Sequence, residues 1–256
     1  MNLKGPVVQK KLFAASLWAV LFPGVALAQG GPPMVTDDPG TPGNRRWEIN
    51  IAGLLAATPD QNLLLFPYFD INYGLGERLQ LKVETGWAVA REGGPSIHSG
   101  ADTVLVGVKY RFLDEDRSGV AVSTYPQFQF HHFFSSNDPE LAEPGDQYIL
   151  PIEMSKTFGN WEVNPEVGYL YGTVVSNELF YGAVLAFENA KPWEPLAEIH
   201  VNTSLEGAGS ATLLNLGFRY TFNPEMNLLF ALGHTVSSFE GTPTELDTYV
   251  GLQLEL

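Results

Sequence analysis

VLVGVKYRF, residues 104–112, alternates between two kinds of side chain along its whole length. One parity is apolar from Val104 to Phe112, whereas the other carries Lys109 and Arg111. Successive side chains of a β-strand point to opposite faces. A period of two over nine residues therefore predicts a long strand with one apolar and one polar face.

The same alternation recurs along the chain. Residues 79–89 place Leu81 and Val83 on one parity and Lys82 and Glu84 on the other, and residues 161–171 repeat the split. We assign twelve such segments, at residues 44–57, 60–73, 77–91, 100–112, 119–133, 146–158, 161–175, 178–189, 193–205, 210–222, 226–237 and 244–256. The pattern predicts an all-β protein that folds as a closed, antiparallel, up-and-down transmembrane β-barrel of about 12 strands.

The connections between these segments alternate in length. Tight turns at residues 74–76, 114–118, 159–160, 190–192 and 223–225 alternate with longer loops at 92–99, 134–145, 206–209 and 238–243. Short connections near Pro59 and Ser176 are exceptions on the loop side. Short periplasmic turns opposite longer external loops are typical of outer-membrane barrels.

Strand length and composition favour a membrane barrel over a soluble β-sandwich. The segments run to about 11–15 residues, near the length that crosses a bilayer, whereas sandwich strands average five or six. Charged residues make up only 17% of the chain, against about a quarter in soluble domains. Aromatic residues near strand ends would form interfacial girdles, namely Trp47, Tyr73, Trp87, Phe112, Tyr148, Phe158, Trp161, Tyr171, Trp193 and Phe222.

The N-terminus predicts export. Lys4, Lys10 and Lys11 precede an apolar run at residues 12–22, and a small-residue cleavage site ends at Ala28. We therefore expect a signal peptide at residues 1–28 that directs the chain through the inner membrane. A periplasmic N-terminal segment at 29–43 and an outer-membrane barrel at 44–256 follow.

Charge and composition exclude several classes of function. Removing the three lysines of the signal peptide leaves 11 basic against 29 acidic residues, which changes the net charge from −15 to −18. An acidic chain is unsuited to nucleic acid, and the absence of cysteine excludes disulfides and thiolate metal sites. We expect no cofactor. The predicted partners are outer-membrane lipid, a small-molecule solute and the assembly machinery, because the last strand keeps one apolar parity up to Leu256.

The opening of the mature chain resembles a known family. Residues 32–43, PPMVTDDPGTPG, lead into Trp47-Glu48-Ile49-Asn50. This signature resembles that of the phenol-degradation-pathway (MetA-type) family of outer-membrane barrels. The resemblance implies a transporter-like channel that admits hydrophobic or aromatic compounds, and it brings no catalytic or binding residues. Read physically, Thr36–Pro39 is a turn-rich acidic segment, for which a plain tether is preferred over a cap or plug of the barrel mouth.

The polar parity predicts the lumen lining. The candidates are Glu48, Asp70, Lys82, Glu84, Lys109, Arg111, Glu153, Glu162, Glu166, Glu198, His200 and Arg219. Acids outnumber bases, which favours a narrow, cation-preferring channel for passive diffusion. The alternative is a packed interior in which the four bases pair with acids. Apolar interior positions, expected at Leu54, Leu64, Phe66, Tyr68, Leu170 and Phe180, suit a partly hydrophobic solute.

We expect that the chain is not an enzyme; a barrel lipid hydrolase and a structural barrel are the alternatives to a channel. A barrel lipid hydrolase needs a serine and a histidine two residues apart on one strand face, and only Ser96 with His98 has that spacing. We expect no metal site, because His131 and His132 point to opposite faces and His200 is better placed for a lumen hydrogen bond. A structural barrel without an open pore is the third possibility.

Overall fold

The computed structural model describes residues 31–92, 96–131, 135–138, 141, 145–187, 192–240 and 245–256. The predicted signal peptide lies outside the described residues, and so do parts of the longer loops. The strands are β1 (Trp47–Ala57), β2 (Gln61–Leu75), β3 (Leu79–Glu92), β4 (Ile97–Ala101), β5 (Val104–Leu113), β6 (Ala121–Thr124), β7 (Gln127–Phe130), β8 (Gln147–Phe158), β9 (Trp161–Gly172), β10 (Glu178–Phe187), β11 (Trp193–Ser204), β12 (Ser210–Asn223), β13 (Met226–Ser237) and β14 (Leu246–Glu255). A short helix, α1 (Glu115–Ser118), follows β5.

The strands form a closed antiparallel ring, as predicted. β1 pairs with β2 on one side and with β14 on the other, and Trp47 and Leu256 exchange backbone hydrogen bonds of 2.8 and 2.9 Å. The ring has twelve positions because β4 and β5 both pair with β3, at its opposite ends, and β6 and β7 share the place between β5 and β8. The tight turns and both termini of the ring lie at one end, named the turn end; the opposite end is the loop end.

Two predicted strands are each broken into two pieces. The segment predicted at residues 119–133 divides at Tyr125-Pro126. Proline has no N–H to donate to a neighbouring strand, and the Tyr125 side chain turns into the interior, where it is fully buried. The segment predicted at residues 100–112 divides at Asp102-Thr103, and its piece at the loop end begins at Ile97, earlier than predicted.

A β-bulge in β2 corrects part of the predicted lumen. β2 pairs with β3 through Leu65 and Ala88, and the next pair joins Tyr68 to Gly86. The irregularity reverses the inward parity of the strand. Leu64 and Phe66, which were expected inside, are therefore exposed outward, whereas the other expected apolar positions, Leu54, Tyr68, Leu170 and Phe180, are buried inside.

The outer surface of the barrel is apolar. Leu150, Val167 and Leu216 expose 52%, 53% and 68% of their surface. The predicted girdle residues also project outward near the two ends, and the Trp47 and Tyr73 rings contact each other at a tilt of 44° with their centroids 4.5 Å apart. A continuous apolar face without a sheet edge is stable in lipid, so the barrel spans a membrane. In the described part of the chain, no helix is long and apolar enough to cross a bilayer.

Candidate functional site

The N-terminal segment lies inside the barrel. Residues 31–43, named the plug, enter at the turn end, where the Thr41 hydroxyl donates to the Glu77 carbonyl at 3.0 Å. Met34, Thr36 and Asp37 are 2 to 4% exposed. The preferred interpretation of this segment as a tether is therefore wrong. The acidic turn of the plug lies in the lumen because the barrel wall supplies partners for the plug backbone and for the Asp37 carboxylate.

Wall carboxylates bind three consecutive amide N–H groups of the plug. The N–H groups of Val35 and Thr36 donate to the two carboxylate oxygens of Glu198, at 3.2 and 2.5 Å. The N–H of Asp37 donates to Glu166 at 3.2 Å. The acidic side of the lumen thus holds the plug by its backbone.

Basic residues on β5 hold the plug from the other side. The Lys109 ammonium group lies 3.0 Å from the Asp37 carboxylate and also donates to the carbonyl of Asp38. Arg111 donates to the carbonyl of Pro39 at 3.4 Å. β5 and β11 are five positions apart in the twelve-position ring. The plug therefore crosses the lumen from one wall to the opposite one.

Two wall glycines make room for the plug. A Cβ atom on Gly182 would lie 2.2 Å from the Thr36 hydroxyl oxygen, and one on Gly217 would lie 2.7 Å from the Met34 methyl carbon. Both distances are well below van der Waals contact. At Gly182, glycine lets the plug approach the wall this closely, whereas a Cβ on Gly217 would first meet the backbone oxygen of Phe230 on β13, at 2.4 Å,.

The predicted lumen residues fall into two groups by burial. Asp70, Lys82, Glu84, Lys109, Glu153, Glu166, Glu198 and His200 are buried, whereas Glu48, Arg111, Glu162 and Arg219 are partly exposed. Each of the four bases has a carboxylate partner. Lys82 contacts Asp70 and Glu84, Lys109 contacts Asp37 and Glu153, Arg111 contacts Asp114, and Arg219 contacts Glu194. The interior is thus a paired network rather than a ring of free carboxylates.

A polar cavity of about 210 Å³ lies between the plug and the wall. It is at the turn end, and its lining includes Asp38, Glu48, Asp70, Arg219 and Glu255. The carboxylates of Glu48 and Glu255 belong to residues paired directly across β1 and β14. The lining is acidic, so this mouth attracts cations more strongly than anions.

Another part of the interior is apolar. Met34 belongs to a buried cluster with Ala52, Leu54, Leu65, Tyr68, Ala88, Ala90, Leu141, Val184, Ala186, Leu196, Leu229, Ala231 and Tyr249. Many of these wall side chains are alanines, which fill little of the lumen. Among the described residues, the buried Tyr249 hydroxyl has no hydrogen-bond partner. The lumen is therefore charged on one part of its wall and apolar on another.

His200 and His98 have structural partners. His200 lies 3.3 Å from the Thr36 hydroxyl and 2.9 Å from the Asn202 side-chain oxygen. His98 is 2.6 Å from the Asp138 carboxylate, and Ser96 is exposed. Within the described ranges, no cluster of three or more metal-binding side chains is present.

The acidic turn at residues 114–116 is tied to the wall. Asp114 contacts Arg78 and Arg111, and Glu115 accepts a bond from the backbone N–H of Thr157 at 2.8 Å. That N–H, together with the Lys156 ammonium group, holds the pKa of the Glu115 carboxyl below its usual value, against slight desolvation. These carboxylates connect the turn after β5 to Arg78, which precedes β3, and to Thr157 near the end of β8.

Comparison with known proteins supports the fold. No family model and no curated protein matches the chain. The COG4313 outer membrane channel from Pseudomonas putida F1 superposes with a TM-score of 0.65 at 12% identity, covering 86% of this chain and 98% of that one. NanC porin superposes with a TM-score of 0.60 at 12% identity, covering 81% and 100%. KdgM porin gives 0.55 at 10%, covering 80% and 98%. At these identities the likeness establishes a shared barrel fold, and the resemblance to the phenol-degradation-pathway family stays a prediction.

Proposed function

We propose that this chain is an outer-membrane channel for small solutes whose lumen is closed at rest by its own N-terminal plug. The observation that carries the proposal is the way the plug is held. Its contacts with Glu198, Glu166 and Lys109 are hydrogen bonds and ion pairs that water can replace. A segment held in this way can leave without breaking the barrel wall.

The size of the ring supports a conducting lumen once the plug has left. Strands about 4.8 Å apart and tilted by about 40° give a twelve-strand ring a backbone radius of about 12 Å. The wall carries alanine or glycine at positions such as Ala52, Ala88, Gly182 and Ala231. Removing the plug leaves a narrow passage suited to passive diffusion of small molecules.

The chemistry of the lumen favours a partly apolar solute that is neutral or cationic. An acidic mouth that includes Glu48 and Glu255 repels anions,. The apolar part of the interior suits hydrophobic or aromatic groups, and the Tyr249 hydroxyl, which has no hydrogen-bond partner among the described residues, can donate to an oxygen on the solute. The family resemblance of residues 32–50 agrees with aromatic compounds.

The orientation follows from the connections. Short turns face the periplasm in barrels of the bacterial outer membrane, so we place the turn end, with the plug entrance, in the periplasm. Export by the signal peptide and insertion by the assembly machinery, which recognises the last strand, would bring the chain there. Outer-membrane lipid then covers the apolar wall.

A structural barrel that never opens is the second candidate. It is favoured by the complete pairing of Lys82, Lys109, Arg111 and Arg219 with carboxylates. A movable plug distinguishes the two candidates, because only a channel conducts when the plug is released.

A disulfide that holds the plug in the lumen reversibly, named the lock, tests the channel proposal. The chain has no cysteine, and the Thr36 hydroxyl lies 3.3 Å from a ring nitrogen of His200 on β11. We therefore expect Thr36→Cys with His200→Cys to form a disulfide that ties the plug to the wall. We expect single-channel conductance in planar bilayers to be lost on oxidation and to return on reduction.

Controls for the lock are the two single-cysteine variants, which should conduct alike with and without oxidant. Deletion of residues 31–40 should give a channel that stays open. If that deletion variant folds but shows no conductance in planar bilayers, the chain is a structural barrel and the channel proposal fails.

A further inference from the structure

The plug is surrounded by ionisable groups from most of the ring. On the wall these are Glu48 of β1, Asp70 of β2, Lys82 and Glu84 of β3, Lys109 and Arg111 of β5, Tyr125 between β6 and β7, Glu153 of β8, Glu166 of β9, Glu198 and His200 of β11, Arg219 of β12 and Glu255 of β14. Asp37 and Asp38 lie on the plug itself. Any change in the charge of one group acts on its neighbours.

Negative charge is in excess where the plug is buried most deeply. Six carboxylates there are at most 6% exposed, namely Asp37, Asp70, Glu84, Glu153, Glu166 and Glu198, against the two ammonium groups of Lys82 and Lys109. An unpaired buried carboxylate is costly in its ionised form. Glu198 is compensated by amide N–H groups and by Asn215, and Asp70 and Glu84 share Lys82.

Glu153 and Glu166 are the carboxylates left with the least compensation. Glu153 lies 3.4 Å from the Lys109 ammonium group, which it shares with Asp37, and it accepts a bond from Ser123. Its other oxygen is buried and has no partner among the described residues. Glu166 accepts the N–H of Asp37, at one oxygen. Seating the plug brings the Asp37 carboxylate to both residues and excludes water from them.

We infer that the plug is a proton-linked gate, seated when Glu166 and Glu153 hold protons and released when they lose them. When the plug leaves, the Asp37 charge moves away from Glu153 and Glu166 and water reaches both carboxyl groups. These two groups therefore bind protons less tightly in the released state than in the seated state. Low pH therefore closes the lumen and rising pH opens it. Each proton taken up on seating changes the ratio of seated to released plug by up to about tenfold per pH unit.

This inference deepens the proposed channel function and rests on it, but plug seating can be measured without conduction. The probe is a membrane-impermeant maleimide reacting with Met34→Cys, which is buried while the plug is seated. Rates at pH 5 to 8 are divided by those of Asp60→Cys, an exposed loop site, to remove the intrinsic pH dependence of the thiol. We expect normalised labelling to rise at least tenfold across this range.

Glu166→Gln in the Met34→Cys background identifies the proton site. Glutamine keeps the acceptor for the Asp37 N–H and removes the charge, so labelling should stay low up to pH 8. Glu162→Gln, on the same strand at its partly exposed end, should leave the profile unchanged. Glu153→Gln serves as a second variant if Glu166→Gln does not yield the folded, SDS-resistant barrel.

The outcomes separate this inference from the channel itself. If labelling rises with pH but the protein shows no conductance in planar bilayers, the proton link is supported and the proposed channel function is wrong. Labelling that is flat in a conducting protein overturns the proton link alone. An unchanged profile in both glutamine variants also overturns it.

Discussion

Individual lumen residues bind the chain's own backbone in place of a solute. Glu198 accepts the N–H groups of Val35 and Thr36 and the side-chain amide of Asn215, which lies 2.6 Å away. The sequence predicts that this carboxylate faces the lumen, because strand parity fixes the direction of a side chain. It does not predict the partner, since the plug has no periodicity and its contacts join residues more than 160 positions apart.

Shortening Glu198 should loosen the plug. Glu198→Ala removes the acceptor for two plug N–H groups, and hydrogen bonds to a charged group contribute about 1.5–3 kcal/mol each. We expect labelling of Met34→Cys at pH 5 to rise at least about tenfold, which corresponds to about 1.4 kcal/mol. Glu198→Gln, which keeps one acceptor oxygen, should have a smaller effect. Equal labelling in the parent and both variants would show that Glu198 does not anchor the plug.

The alternation of apolar and polar residues predicts the strands, but it does not predict the bulge in β2 or the break between β6 and β7. Residues 104–112 and 161–171 lie where the period of two placed them. The bulge at Phe66-Pro67 and the break at Tyr125-Pro126 contradict the regular pattern. Both contain a proline within a strand run, and proline inside a strand is a known signal for a bulge or an end. A bulge at Pro67 reverses the parity of the residues before it, which places Leu64 and Phe66 on the outer face.

The break between β6 and β7 lets Tyr125 fill the lumen. Its ring is fully buried, with the ammonium groups of Lys82 and Lys109 at 5.5 and 4.7 Å from its centroid. Tyr125→Ala should lower the free energy of unfolding by about 3–5 kcal/mol, as for other large aromatic residues in a core. Urea unfolding in lipid vesicles measures this. Tyr181→Ala, on the lipid face, is the matched control and should cost much less, because lipid refills the space.

The whole molecule combines an apolar wall with an acidic interior, and composition predicted both. A chain with 17% charged residues and a net charge of −15 must keep its charges away from a large uncharged surface. Closure of the ring followed from the need to have no free edge in lipid. What occupies the interior did not follow, because parity distinguishes inside from outside without saying whether water, solute or protein fills the inside.

Charge on the outer wall should be tolerated only near the ends of the barrel. Val167 lies at the middle of β9 and is 53% exposed, whereas Leu75 lies at the turn end of β2 and is 43% exposed. We expect Val167→Arg to cost about 2–4 kcal/mol of unfolding free energy in vesicles and Leu75→Arg about 0–1 kcal/mol. Equal costs at the two positions would contradict the membrane placement.

The hydrogen bonds between Trp47 and Leu256 have a consequence for biogenesis. They join the first strand to the last, so the ring cannot close until the final residues have been added. Residues 34–37 of the plug lie inside that ring. The plug must therefore be enclosed as the wall closes around it or thread into the lumen afterwards, which makes the order of assembly part of how the lumen is filled.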